Sequence, residues 1–282
     1  MNSPSTAPAP GVPRRWLFLI LALAFLFVLM PFLFWQSTWF GRPLSDADLD
    51  RQLADLEHPR KVQHALFQLA NRLSSPDPAQ RASARRWYPQ LVALSASPVP
   101  ELRLTSAAVM GQSSDDLPEF RAALAALLAD PNPMVQRNAA LSLVHFRDAA
   151  GHVVVVSMLE PYRELAPLTG TLSHRLKPGD TVNPGTLIAR IVAGEGKHDF
   201  RCTVPGTLDR WLVPDGASVS AEQVVAEISP SAEVVWEALR ALYVIGRPED
   251  LSLVERFTRP LPNLPDNIRR QASLTASALR SR

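Results

Sequence analysis

The side chains best suited to chemistry lie in one short segment, residues 192–200, which reads VAGEGKHDF. Glu195, His198 and Asp199 are of the types that bind a metal ion, and the Lys197 amine could carry a covalently attached group. The alternative is that these side chains only face solvent, which is the more frequent origin of such clusters. We therefore expect no metal site here, and we treat Lys197 as the one candidate for cofactor attachment.

Other catalytic patterns are absent from the sequence. There is no Gly-x-Ser-x-Gly elbow, and no two histidines have the His-x-x-x-His spacing that holds a metal on one helix face. Asp115 and Asp116 are interpreted as a helix cap. The single cysteine, Cys202, excludes an intramolecular disulfide and multi-cysteine metal sites. The sequence thus predicts a protein that is not an enzyme, with no catalytic residue, metal or cofactor.

The composition predicts folded domains and protein partners. The chain has 282 residues, of which 46% are hydrophobic and 20% are charged. A chain of this length typically folds into two or three domains. The net charge is +2, from 29 basic and 27 acidic residues. Because nucleic-acid binders carry a marked basic excess, we expect no nucleic-acid partner.

The N-terminal region contains an apolar run at residues 16–35, WLFLILALAFLFVLMPFLFW. A run of about 20 such residues matches the thickness of a bilayer core, and its terminal tryptophans suit the two interfaces. A cleaved signal peptide is the alternative, but its apolar region is shorter and ends in a small-residue cleavage site. The sequence therefore predicts a transmembrane anchor at 14–40 that contacts membrane lipid through 16–35.

The flanking residues predict the orientation of this anchor. Arg14 and Arg15 directly precede the apolar run, which favours a cytoplasmic N-terminus. The tail at 1–13 is rich in Ser, Ala and Pro and is expected to be disordered. The predicted location is the bacterial inner membrane, as a single-pass protein with most of the chain in the periplasm.

Residues 41–160 show the apolar spacing of amphipathic helices, punctuated by prolines. A pattern of two small residues before an aliphatic run occurs at 102–111, again at 135–144, and in part at 268–274. This recurrence resembles HEAT-type helical repeats over 41–160 and 231–282. The resemblance implies an α-solenoid, whose curved surface binds extended protein segments. An unrelated helical bundle is the alternative.

Residues 161–230 have β character and are internally duplicated. The halves at 166–191 and 203–228 both contain Gly-Thr-Leu, then Leu-x-Pro, a glycine turn, Val, and a strand ending in Ile. This order resembles the biotinyl/lipoyl-carrier fold, which membrane-fusion adaptor proteins share. The resemblance implies a barrel-sandwich hybrid of two interlocked four-stranded halves, inserted at a turn between two helices of the solenoid.

The resemblance also bears on the segment that joins the two halves. Carrier proteins have their modified lysine at this joint within Met-Lys-Met or Asp-Lys-Ala, and neither motif surrounds Lys197. Export adaptors separate the halves by a long helical hairpin, whereas about ten residues do so here. We therefore interpret the joint as a solvated hairpin that could contact a partner through its side chains, namely Glu195, Lys197, His198 and Asp199.

The predicted fold class is multidomain: an N-terminal transmembrane helix, an α-solenoid of HEAT-like repeats, and an inserted all-β barrel-sandwich hybrid domain. The favoured function is a membrane-anchored, non-enzymatic scaffold or adaptor. It would bind protein partners of a cell-envelope assembly, such as a transport, secretion or respiratory complex. Two alternatives stay open, a periplasmic adaptor subunit of a transporter and a biotin or lipoyl carrier that uses Lys197.

Overall fold

The structure, a computed structural model, describes residues 14–37, 43–260 and 264–282. The described chain divides into two compact units, of which one ends at Leu49 and the other is Asp50–Arg282. The predicted disordered tail at 1–13 lies outside the described residues.

The first helix, α1, spans Arg14–Ser37. Among the described residues, no helix is both long and apolar enough to cross a membrane. The prediction of a transmembrane anchor at 14–40 is therefore wrong.

The predicted location depended on this anchor. A single-pass protein of the bacterial inner membrane, with a cytoplasmic N-terminus and a periplasmic bulk, requires one helix that spans the bilayer. Since the described residues contain none, this location is wrong as well. The lipid contact assigned to residues 16–35 followed from the same anchor and is not proposed further.

A series of short helices precedes the strands. Most begin with a proline in the first turn, where the missing N–H would have no partner in the helix and the fixed φ suits the helix. The helices are α2 (Asp46–Ala54), α3 (Pro59–Leu73), α4 (Pro78–Ala84), α5 (Tyr88–Leu94), α6 (Pro100–Met110), α7 (Pro118–Leu127), α8 (Pro133–His145) and α9 (His152–Ser157).

Three of these helices begin in the same way. Each follows an x-Pro-x-Pro segment, at 75–78, 97–100 and 130–133, and starts at its second proline. The carbonyl of the first residue of each segment accepts a hydrogen bond from the side chain six residues later. The donors and acceptors are Arg81 and Ser75, Arg103 and Ser97, and Gln136 and Asp130. The recurrence shows that α4, α6 and α8 occupy equivalent local environments.

Three α-helices follow the strands in the described part of the chain, namely α10 (Ala232–Ile245), α11 (Leu251–Glu255) and α12 (Asp266–Arg280). The pairing of α12 with α10 repeats the pairing of α8 with α6. In the first pair the buried Thr275 hydroxyl donates to the Leu239 carbonyl at 2.8 Å, and in the second the Ser142 hydroxyl donates to the Ala107 carbonyl at 2.8 Å. Small polar residues at both crossings let the helix backbones approach closely.

The strands occupy the chain between α9 and α10. They form two antiparallel four-stranded sheets, with orders β1-β8-β6-β3 and β5-β4-β2-β7. The strands are β1 (Tyr162–Leu165), β2 (Gly170–His174), β3 (Thr181–Val182), β4 (Leu187–Ala193), β5 (Gly196–Arg201), β6 (Gly206–Trp211), β7 (Ser218–Val219) and β8 (Val224–Pro230). We call residues 162–230 the β unit.

The two sheets of the β unit exchange their shortest strands. The strand β3 pairs with β6, and β7 pairs with β2, so each duplicated half contributes one short strand to the sheet of the other. Gly170 and Gly206 hold equivalent positions, where a β-carbon would overlap the backbone of the neighbouring long strand. Apolar side chains from both sheets form one core, which includes Leu172, Ile191, Leu208 and Ile228.

The helices on either side of the β unit pack against each other. Val155 of α9 and Met158, directly after this helix, belong to the same buried cluster as Val235 and Leu239 of α10. The chain therefore leaves the helical layer after α9, forms the β unit, and returns to the same layer at α10. This places α8, α10 and α12 in one contiguous set of helices.

The predicted fold class, a multidomain protein with an N-terminal transmembrane helix, is wrong. The described elements are helices and two small antiparallel sheets, and no described helix spans a membrane. The resemblances to HEAT-type repeats and to the biotinyl/lipoyl fold stay predictions. The same holds for the predicted domain limits at 41–160, 161–230 and 231–282.

Candidate functional site

The predicted contact hairpin is formed by β4 and β5. Gly194, with a φ of 58°, and Glu195 make a two-residue turn, a connection that favours glycine at its first position. Lys197 lies opposite Val192, and it is exposed together with Glu195 and His198. The hairpin thus presents polar side chains to solvent without bringing them to a common point.

Asp199 is held by two arginines. Arg190, its cross-strand partner, donates to it at 3.1 Å, and Arg201 donates at 2.8 Å. The hydrogen bond from Arg190 is the main reason why the pKa of Asp199 lies below its usual value. Within the described ranges, no group of three His, Cys, Asp or Glu side chains is arranged to hold a metal ion.

The Cys202 thiol is buried beside a carboxylate. Its Sγ lies 3.2 Å from Glu164 Oε1 and 3.1 Å from the Val204 carbonyl oxygen, and its single proton can be donated to either acceptor. Burial, followed by the nearby Glu164 charge, raises the pKa of Cys202 to about 12. A thiol with so high a pKa stays protonated near neutral pH and is a poor nucleophile.

Arg137 of α8 lies where this helix meets the β unit. Its side chain is buried, with the guanidinium 5.9 Å from the Tyr162 ring, and its Nη1 has no hydrogen-bond partner among the described residues. Burial lowers the pKa of Arg137, while the charges of Glu237 and Glu164 act in the opposite direction. Met134 of the same helix packs against the core of the β unit. Both side chains join α8 to the β unit.

His152 and Asp250 form a buried pair that sequence reasoning missed. His152 Nε2 lies 2.7 Å from Asp250 Oδ2, which also accepts the Arg247 N–H at 2.7 Å. The two residues are 98 positions apart, so no local spacing reveals them. No described hydrogen bond links His152 to a Ser, Thr or Cys side chain. The pair therefore fastens α9 to the turn before α11.

A groove of about 730 Å³ crosses α8, α10 and α12. We call it the three-helix groove. Its wall combines apolar and charged side chains from the three helices and from the turn after α8. The lining residues are Leu141, Val144, His145, Arg147, Glu237, Arg240, Ala241, Tyr243, Val244, Gln271 and Leu274.

Large apolar side chains of the groove are exposed. The exposed fractions are 50% for Tyr243, 42% for Val244 and 59% for Leu274. Single exposed apolar residues are normal on a protein surface, but several that share one concavity are typical of a contact surface. The three-helix groove therefore has the apolar character of a surface that a partner covers.

The charged side chains of the groove are mainly basic. Arg147, Arg240 and His145 line it together with one carboxylate, Glu237. Burial, with a contribution from the Glu233 charge, raises the pKa of Glu237, whereas the Arg240 charge acts in the opposite direction. The groove thus holds two arginines against one acidic group.

Arg147 adopts a backbone conformation that normally requires glycine. Its φ is 55°, in the left-handed region. Its N–H donates to the Val144 carbonyl and the Asp148 N–H donates to the Leu143 carbonyl, both at 2.9 Å, which is the Schellman pattern at the end of a helix. Glycine is the usual residue at this position because it has no side chain to clash. An arginine at this position therefore makes the fold less stable than a glycine would.

We expect Arg147→Gly to stabilise the fold by about 1 kcal/mol, because left-handed backbone costs other residues roughly that much. Glu222→Gly is a matched control, since Glu222 has a φ of 63° in a turn of the β unit. Both variants should raise the midpoint of urea unfolding. If Arg147→Gly lowered this midpoint while Glu222→Gly raised it, the Arg147 side chain would stabilise the fold, and our account of this position would be wrong.

Sequence reasoning did not identify the three-helix groove. Its residues come from three helices that are distant in the sequence, and each segment alone has the pattern of an ordinary amphipathic helix. The one local signal, an arginine where a helix should end in glycine, requires knowing where α8 ends. No protein-family model matches this chain, and no curated protein matches it.

Proposed function

We propose that this protein is a non-enzymatic scaffold that binds a partner protein in the three-helix groove. The observation that carries the proposal is the group of exposed apolar side chains, Tyr243, Val244 and Leu274, in one concavity of about 730 Å³. A groove between helices with apolar anchors is a common mode of peptide recognition.

The reactive side chains of the described chain support a role in binding rather than catalysis. Cys202 is buried with a raised pKa, and Asp199 is neutralised by two arginines. The His152–Asp250 pair is enclosed between helices. Each of these groups is engaged in contacts that hold the fold together. The alternatives of a transporter adaptor and of a carrier through Lys197 stay predictions, and no described contact favours either.

The test is a selection from a library of random displayed peptides on the immobilised full chain. We expect enriched peptides to lose most of their affinity for Tyr243→Ala and for Leu274→Ser, because both changes remove apolar contact area in the groove. The matched control is Phe67→Ser, since Phe67 of α3 is 60% exposed, as Leu274 is 59%. Affinity is measured by fluorescence anisotropy.

The outcomes separate the groove from other surfaces. Peptides that bind Phe67→Ser like the unaltered chain, but bind the groove variants weakly, support the proposal. Peptides that bind the groove variants with full affinity show that another surface is recognised, and the proposal is then wrong. Circular dichroism of each variant confirms that it is folded before its affinity is interpreted.

A further inference from the structure

The geometry points to a partner segment that is acidic as well as apolar, an inference that rests on the proposed function of the three-helix groove. Carboxylate side chains of the partner would pair with Arg147 and Arg240, while its apolar side chains cover Tyr243 and Leu274. The inference adds the chemical class of the partner to the location of the site.

The first argument is the contrast between the groove arginines and others on the helices. Arg85, Arg103 and Arg121 each donate to an aspartate, at 2.7, 2.6 and 2.8 Å. Arg147 and Arg240 are exposed, and neither has a salt bridge or a side-chain hydrogen bond with any described residue. Two guanidinium groups are therefore available at the groove for ligands from outside the chain.

The second argument is the backbone of Arg147. A glycine at this helix end would avoid the left-handed strain, yet the position carries a charged side chain that lines the groove. Strained residues of this kind often mark places where a side chain is needed for function. Charge complementarity and strain thus both indicate that Arg147 contacts a partner.

The chemistry of the guanidinium selects the complementary group. Arginine presents parallel N–H donors that match the two oxygens of a carboxylate, and such charge-assisted pairs are stronger than neutral hydrogen bonds. The apolar side chains beside the arginines reduce access of water to the pair once a partner is bound. A peptide that alternates acidic and apolar residues satisfies both features, whereas a basic peptide would be repelled.

The test uses two synthetic probe peptides of equal length and identical apolar residues, one with glutamates and the other with lysines. We expect the glutamate peptide to bind the full chain more tightly, with an affinity that falls as salt is added. Arg147→Glu combined with Arg240→Glu should weaken it about tenfold or more, and should strengthen binding of the lysine peptide. Arg60→Glu combined with Arg175→Glu, at two exposed positions outside the groove, is the charge-matched control.

The results distinguish failure of this inference from failure of the proposed function. If both peptides bind equally, and Tyr243→Ala weakens both, the groove binds peptides but the acidic preference is wrong. If Tyr243→Ala weakens neither, the groove is not the binding site and the proposed function is wrong as well. A preference for the glutamate peptide that the charge reversal leaves unchanged also overturns the inference.

Discussion

We expect Gly206→Ala, a change of one methyl group, to destabilise the β unit strongly. A β-carbon at this position would overlap the backbone oxygen of Ser229 and lie 2.8 Å from Ile228 Cγ2. Because both neighbours belong to β8, the central strand of the sheet would have to move. The expected loss is about 3 kcal/mol of unfolding free energy, the upper range for overpacking in a core. Urea unfolding followed by circular dichroism measures it.

Two other glycines test whether overlap of the added methyl group with a neighbouring strand causes the loss of stability. Gly170 holds the equivalent position in the other half, and a β-carbon there would overlap the Val192 carbonyl oxygen, so Gly170→Ala should cost a similar amount. Gly179 has a φ of 97° but has open space around it, so Gly179→Ala should cost only about 1 kcal/mol, through backbone strain. Equal losses for Gly206 and Gly179 would contradict the close approach of the strands.

The second large effect is expected for Glu164→Ala. Glu164 is 1% exposed, and its Oε1 accepts hydrogen bonds from the Thr203 N–H at 2.8 Å, the Thr203 hydroxyl at 2.9 Å and the Cys202 thiol at 3.2 Å. Truncation removes the common acceptor of these hydrogen bonds and a carboxylate whose charge acts on buried Arg137. We expect a loss of about 2–3 kcal/mol, which urea unfolding would detect.

Glu164→Gln separates the two contributions. The amide oxygen can accept the same hydrogen bonds, so this variant loses mainly the charge beside Arg137. Adding Arg137→Met to Glu164→Gln should recover part of that loss, because the buried guanidinium has then lost one of the two carboxylates whose charges act on it. If Glu164→Ala unfolded at the same urea concentration as the unaltered chain, the buried hydrogen bonds would not stabilise the β unit as described.

Sequence reasoning predicted correctly the features that depend on a few neighbouring residues. The prolines predicted to punctuate the helices do begin them, since Pro78, Pro100 and Pro133 each stand in a first turn. The hairpin predicted around Glu195 and Lys197 lies between β4 and β5. Turn and helix-start chemistry depends on a few neighbouring residues, which explains why such features can be recognised without a structure.

The sequence was misleading or silent where the outcome depends on distant residues. Hydropathy alone predicted a membrane anchor, and no described helix meets the requirement for one. The three-helix groove needs α8, α10 and α12 to be adjacent, although the whole β unit separates α8 from α10 in the chain. The strain at Arg147 is a property of its backbone, which residue type does not reveal.

The most direct test of the central claim is amide hydrogen exchange of the full chain with and without a peptide enriched in the display selection. A bound segment in the three-helix groove should slow exchange at the end of α8, along α10 and in α12, and leave the edge strand β5 unchanged. Slower exchange confined to β5 or to the helices α5 and α7, with none in α10 and α12, would contradict the account.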